Sequence, residues 1–279
     1  MNLRKQLAPI KRITRSLHLH IFLLGFLLCL LFWFRTESAY ETELFDNIHS
    51  KLKKTLPAST SKDSFALAAM HMTYYLQQQR NVVFGDEVFE SIKVKYIHPI
   101  TVDLMTGNGY CGSYTFVLAR ILKSDGMKVR IGQMQVKGRA VGHIYIETLT
   151  ESGWIVMDPF YQAVFTNPKG RFATYDDLHN NWDYYKKQVP AGYDSNYKYE
   201  GVRYTNWNKL GFVTRGVKSI LNGVLGRKKA DKISLRTYIL RIYNKLSWIV
   251  LVALVLVAYR SYRIYRKRRR ERRQGPVGG

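Results

Sequence analysis

Cys111, His143 and Asp158 are the three residues whose types and spacing can together do chemistry. A thiol that gives its proton to an imidazole becomes a nucleophile toward a carbonyl carbon. A carboxylate on the far side of that ring fixes its tautomer. Cys111 follows Asn108-Gly109-Tyr110 and opens a run that reads as a helix. A thiol at a helix N-terminus feels the positive end of the backbone dipole, which favours the thiolate, and the amides of that turn can donate to an oxyanion. Taken singly, a cysteine at a helix start reads as readily as a small buried hydrophobe.

The histidines separate by context. His18 and His20 border an apolar run, His49 and His71 have helical surroundings, His98 stands beside Pro99, and His179 sits in a polar loop. These are settings of surface and capping residues. His143 follows Gly142 within an apolar alternation, and Asp158 ends the next one. A lone strand histidine is ordinarily structural, so the pair carries the argument. A turn of two or four residues between the strands puts Asp158 diagonal to or opposite His143 on one face, within reach of a hydrogen bond. A turn of odd length puts them on opposite faces.

The elements that must position these residues follow from periodicity. Phe65, Ala69, Met72 and Leu76 recur at helical spacing after the polar stretch Ser59 to Ser61. Val82 to Leu104 reads as irregular, with Pro99 as a breaker. From Cys111 to Leu122 a helix carries the stripe Tyr114, Val117, Leu118, Ile121 and Leu122, and Gly126 stops it. Three extended segments follow: Met127 to Val136, with Gly132 as a bulge candidate; Ala140 to Leu149; and Trp154 to Asp158. Alternation puts Val141, His143, Tyr145 and Glu147 on one face and Ile144 and Ile146 on the other, while Trp154, Val156 and Asp158 share a face. From Phe160 to about Leu210 the chain is rich in Tyr, Asn and Trp; packing on the core is the expected role for most of these residues, with a peptide or glycan cleft as the alternative.

The net charge of +24 is concentrated at the ends. The first sixteen residues hold five Lys or Arg and no acid; the last twenty hold nine against Glu271 alone, so the ends supply +13 (5 plus 9 minus 1). Both ends border apolar runs, Leu17 to Phe34 and Leu246 to Tyr259. Basic residues beside apolar runs mark the cytoplasmic flanks of membrane helices, so no nucleic-acid role is needed. The expected organisation is a basic cytoplasmic N-terminus (1–16), a transmembrane helix (17–34) and a domain (40–208). A juxtamembrane amphipathic segment (209–245), a second transmembrane helix (246–259) and a basic cytoplasmic tail (260–279) complete it. The first run can also be read as a cleaved signal peptide, but Ser38-Ala39 is a poor cleavage context and the run is long. With both ends inside, the domain faces the periplasmic or extracellular side. Cys29 lies in the first apolar run, so the domain has one thiol and no internal disulfide.

The segments GYCGSYTFVLARILKSDGMKVRIGQM, VGHIYIE and GWIVMDPF resemble the core of the transglutaminase-like superfamily. Cys111, Gly126, Arg130, His143, Glu147, Trp154 and Asp158 match its pattern in order and spacing, over about a fifth of the chain (Asn108 to Tyr161). The resemblance is to a bacterial membrane-anchored member. It implies a papain-like α+β fold, with a Cys-bearing helix packed on an antiparallel sheet, here between two transmembrane helices. It implies the catalytic triad Cys111, His143 and Asp158 and a thioester intermediate. The expected activity is a cysteine protease acting on exported protein or peptide; the alternatives are a protein-crosslinking acyltransferase and a non-catalytic scaffold or membrane adaptor. Membrane lipid is the other expected partner, through the two anchors and their basic flanks. Tyr110, Gly112 and Ser113 stand where many bacterial members carry acidic residues beside the cysteine. The family's second oxyanion donor lies upstream, with Asn108 and Gln77 to Gln79 as candidates. No calcium-site pattern is present, and no metal or cofactor is expected.

Overall fold

The computed structural model describes residues 16–80, 91–107, 110–136, 142–207 and 211–273. Asn108, Val141, the stretch Val82 to Glu90 and most of the basic N-terminus lie outside the described residues. The chain divides into two compact units: Glu41–Arg241, and the terminal stretches 16–40 and 242–273.

The domain is α+β. After the end of helix α1 (Leu17–Lys54) come α2 (Lys62–Gln78), a π-helical turn (Lys93–Ile97), α3 (Ile100–Thr106) and α4 (Cys111–Ser124). Strands β1 (Val129–Met134), β2 (Ile144–Thr150), β3 (Gly153–Asp158) and β4 (Ala163–Val164) follow. Short helices α5 (Tyr175–Asn180) and α6 (Trp182–Tyr185) precede β5 (Val202–Arg203). The five strands form one antiparallel sheet in the order β4-β3-β2-β1-β5.

Local chemistry accounts for the element ends. Ser61 caps α2 by accepting from the Ser64 amide. The described part of the Val82 to Leu104 stretch is not irregular as its sequence suggests: Pro99 separates the π-helical turn from α3 and serves as the N-cap of α3, where a missing N–H costs nothing. Gly126, at φ +77°, ends α4: its amide donates to Lys123 O and the Met127 amide to Leu122 O. Gly132 forms no bulge, because the β1–β2 register runs unbroken from Val129↔Thr148 to Gln133↔Ile144. It is glycine for space instead: a Cβ there would stand 2.6 Å from the ring of Tyr145 on the facing strand.

The register gives the sheet two buried faces. Ile131, Ile146, Ile155 and Met157 pack against α2, α3 and the stripe Val117, Leu118, Ile121 and Leu122 of α4. Tyr145, Val156 and Met134 face the other way, onto Phe165, Leu178, Tyr185 and Tyr199. The Tyr- and Trp-rich region is therefore largely a second core layer. Arg120, off the apolar stripe of α4, is nevertheless fully buried, with its guanidinium 5.2 Å from the Phe45 ring centroid.

Helices α7 (Gly211–Leu225), α8 (Arg227–Asp231) and α9 (Arg236–Ile239) close the domain. Val217, Ile220 and Val224 of α7 are exposed. The segment after α8 is stapled to the sheet. Ser234 Oγ donates to Ile131 O and accepts from its amide, and Arg236 donates to Gln133 Oε1 at 2.6 Å.

In the other unit, the 17–40 part of α1 and α10 (Ile242–Arg273) are long and apolar enough to cross a membrane. Only 11% of each apolar window is buried, so neither is a core helix. Phe22, Phe26 and Phe32 on one and Ile249, Val252 and Leu256 on the other are exposed. Arg35 lies 5.3 Å from the Trp248 ring centroid and Phe34 packs on Tyr243. Both helices run beyond the apolar stretches read from the sequence.

Candidate active site

Cys111 is the first residue of α4, and several features hold it there. Tyr110, immediately before it, has φ 44° and ψ −123°, a conformation that only glycine adopts without strain. Ser113, fully buried in the first turn, donates to Asp103 Oδ1 at 2.7 Å, which ties α4 to α3. The same carboxylate oxygen lies 3.2 Å from His98 Nε2, and the Thr115 hydroxyl donates to Ile144 O at the start of β2. His98 and Gln162 are the other non-glycine residues with positive φ among those described, and Gln162 Oε1 lies 2.8 Å from His71 Nδ1.

His143 stands just before β2, with its carbonyl accepting from the Met134 amide at 2.8 Å. Gly142 makes that approach possible, because a Cβ there would overlap the Met134 carbonyl oxygen. The β2–β3 turn has two residues, Glu151 and Ser152, between the paired Thr150 and Gly153. That even length puts His143, Tyr145 and Asp158 on one face. Asp158 Oδ2 lies 2.6 Å from His143 Nε2, and both side chains are buried. Cys111 lies close enough to the same ring to raise its pKa. With Nε2 taken by Asp158, Nδ1 is the nitrogen left for the sulfur. Burial pulls the His143 pKa down, but the Asp158 carboxylate and the Cys111 sulfur outweigh it and raise the value to about 10. Of the three residues singled out by the sequence, His143 and Asp158 therefore meet directly, and Cys111 stands near enough to influence the ring.

Aromatic rings surround this histidine. Tyr197 stacks on it with centroids 4.4 Å apart and planes 19° apart. Tyr161 lies at 5.6 Å and Phe160 at 6.3 Å, and Phe160 also meets Tyr114 of α4 edge to face. No periodicity in the sequence points to Tyr197, which lies 54 residues beyond His143 in an irregular segment. No protein-family model, curated protein or solved structure matches this chain.

Gln77 is the other residue the structure brings forward. It is buried at the end of α2, and neither its Oε1 nor its Nε2 has a hydrogen-bond partner among the described residues. Its Oε1 would stand 3.1 Å from a Cβ on Gly107, whose carbonyl accepts from the Tyr110 amide one residue before Cys111. Leaving such a carboxamide buried and unbonded costs about 1–3 kcal/mol per polar group, which is uncommon outside functional sites. Gln78 and Gln79 lack this setting.

Three of the remaining matched positions, Arg130, Glu147 and Trp154, form a separate cluster on the same face around the buried Glu147. Arg130 pairs with Glu147 at 2.5 Å and lies 3.7 Å from the Trp154 ring centroid. Tyr204 also donates to Glu147. Burial pushes the Glu147 carboxyl up, against the pull of Arg130 and Tyr204. These contacts cross β1, β2 and β3 and stiffen the strands that carry His143 and Asp158. Among the described residues no three His, Cys, Asp or Glu side chains converge as a metal site requires.

Proposed function

We propose that this chain is a membrane-anchored cysteine hydrolase of the transglutaminase-like kind that cleaves amide bonds in exported protein or peptide. One observation carries the reading: a buried His143 with Asp158 on one ring nitrogen at 2.6 Å and Cys111, first residue of α4, near enough to act on the same ring. That order, thiol–imidazole–carboxylate, is what nucleophilic attack on an amide needs.

The chemistry runs in two halves. Cys111 transfers its proton to His143, and the thiolate attacks the amide carbon. The carbonyl oxygen takes the negative charge. Gln77 Nε2 and the amides at the start of α4 are the donors set to receive it. As the C–N bond breaks, His143 protonates the leaving amine, and a thioester on Cys111 remains. Water, deprotonated by His143, then attacks the thioester. The acid leaves and the thiol is regenerated. Asp158 keeps the ring oriented and balances the imidazolium charge. An amine in place of water would give acyl transfer by the same steps. Water is the acceptor favoured here, because it is abundant at an exported domain.

The membrane setting belongs to the proposal. Lys and Arg flank both apolar helices at the chain ends, so both termini lie in the cytoplasm and the domain lies on the periplasmic or extracellular side. Helix α7, with exposed Val217, Ile220 and Val224, lies in the membrane interface.

The test is Cys111→Ala in the full chain, assayed for release of dye from an amide-linked casein conjugate. Activity should fall at least about a thousandfold. Iodoacetamide should label Cys111 at pH about 6 much faster than it labels a free thiol, whose pKa is about 8.5. A casein-cleaving activity that survives Cys111→Ala, or a thiol of ordinary reactivity, would remove the reading.

A further inference from the structure

We propose that Tyr197 is a positioning residue whose stacked ring face fixes the plane of His143 and favours its imidazolium, the form that faces the attacking sulfur of Cys111. This rests on the reading of Cys111 as the nucleophile.

The geometry distinguishes the two charge states of the imidazole. A tyrosine face stacked on a neutral imidazole contributes ordinary packing. The same face at 4.4 Å from an imidazolium adds the attraction between a cation and the ring quadrupole, which acts within about 6 Å. Burial strengthens that attraction, because water is kept from the ring: His143 is 2% exposed. Tyr161 at 5.6 Å is tilted by 48°, and Phe160 at 6.3 Å meets the imidazole edge to face, so Tyr197 presents the nearest and most nearly parallel face.

Among the described residues, few charged and titratable groups face the imidazole. Asp158 faces it from β3 and Cys111 from α4; Tyr161 faces it from the turn after β3 and Tyr197 from the segment before β5. Asp158 sets the ring's orientation through Nε2 but constrains its plane only by one bond. Tyr197 fixes the plane. Tyr193 and Tyr161 pack on Tyr197 in turn, with centroids 5.7 and 6.3 Å away, so the stacked ring is itself braced.

The experiment follows Cys111 alkylation by iodoacetamide against pH, in the detergent-solubilised full chain on a Cys29→Ser background. Wild type, Tyr197→Phe and Tyr197→Leu are compared by mass spectrometry of the Cys111 peptide. At pH about 6 the Leu variant should label about three- to thirtyfold more slowly, the range a lost cation–π contact implies, while the Phe variant stays within about twofold of wild type. At pH about 9.5, where a free thiol ionises unaided, all three rates should converge. Tyr197→Met, which also lacks a ring, takes the place of Tyr197→Leu should that chain not fold. A ring-less variant whose profile superimposes on wild type overturns the inference, as does a Phe variant as slow as the Leu variant. Failure of the underlying reading looks different: the wild-type thiol itself then labels no faster than free cysteine at pH about 6, and the inference falls with it.

Discussion

Asp158 faces Tyr145 across the β2–β3 ladder, one step along from His143 on the same face, and its carboxylate reaches His143 Nε2 at 2.6 Å. The contact depends on the two-residue turn Glu151-Ser152. One more residue in that turn would carry Asp158 to the opposite face, into the layer packed against α4. Asp158→Asn keeps the shape but removes the charge that orients the ring and balances its proton. Hydrolysis by this variant should fall about 10²- to 10⁴-fold, with KM little changed. Steady-state kinetics on a fluorogenic peptide amide check it; a loss confined to KM would assign Asp158 to substrate binding instead.

Among the described residues Gln77 has no hydrogen-bond partner, so its role should show only when charge develops on the substrate. Gln77→Ala should lower kcat about 10²- to 10³-fold and leave both KM and the rate of Cys111 alkylation unchanged. Should alkylation slow as well, Gln77 supports the thiol rather than the oxyanion.

His143 makes the folded chain sensitive to pH in a definite direction. Its pKa is about 10 in the fold, against about 6.5 for an unfolded chain. Below pH about 6.5 both states hold the proton and the contribution to stability is complete. As pH rises from there, the unfolded chain has already released its proton and the advantage shrinks, disappearing as the pH passes about 10. Wild type should therefore lose its lead in melting temperature over His143→Asn between pH 6.5 and 10. Thermal denaturation in detergent across that interval measures it, and a pH-independent gap would mean that the folded ring is neutral.

The Arg130–Glu147 pair tests the support beneath the site. Glu147 is fully buried and Arg130 half-buried, so Glu147→Ala leaves a partly desolvated guanidinium without its partner. Destabilisation of about 3–5 kcal/mol is expected, with Arg130→Met/Glu147→Leu together costing far less. Denaturant melts of the three chains give the comparison. Equal losses in single and double variants would mean that packing, not charge pairing, is what matters there.

Gly142 sets how closely the His143 backbone approaches β1. Gly142→Ala forces a Cβ into the Met134 carbonyl and should cost about 3 kcal/mol or more, while moving His143 off Asp158. Loss of activity without loss of melting temperature would show that the strand yields and only the site is disturbed.

Much of this arrangement is legible in the residue order, because it depends on periods and end signals that neighbouring residues impose on one another. Alternation from His143 to Glu147 and from Trp154 to Asp158 determines which side chains share a face; the stripe Tyr114 to Leu122 and Gly126 bound the helix that Cys111 opens; apolar runs with basic flanks mark the two long terminal helices. Other features are decided only by contacts between distant segments. Pro99 starts a helix because α3 packs on α4, and Gly132 is glycine because Tyr145 lies over it rather than because the strand bulges. Gln77 and Tyr197 come to the candidate site through the packing of α2 on α4 and the folding of the 160–205 layer over the sheet. Neither residue carries a local signature, since a carboxamide without a partner and a ring stacked on an imidazole are properties of a surrounding that exists only after the chain has closed on itself.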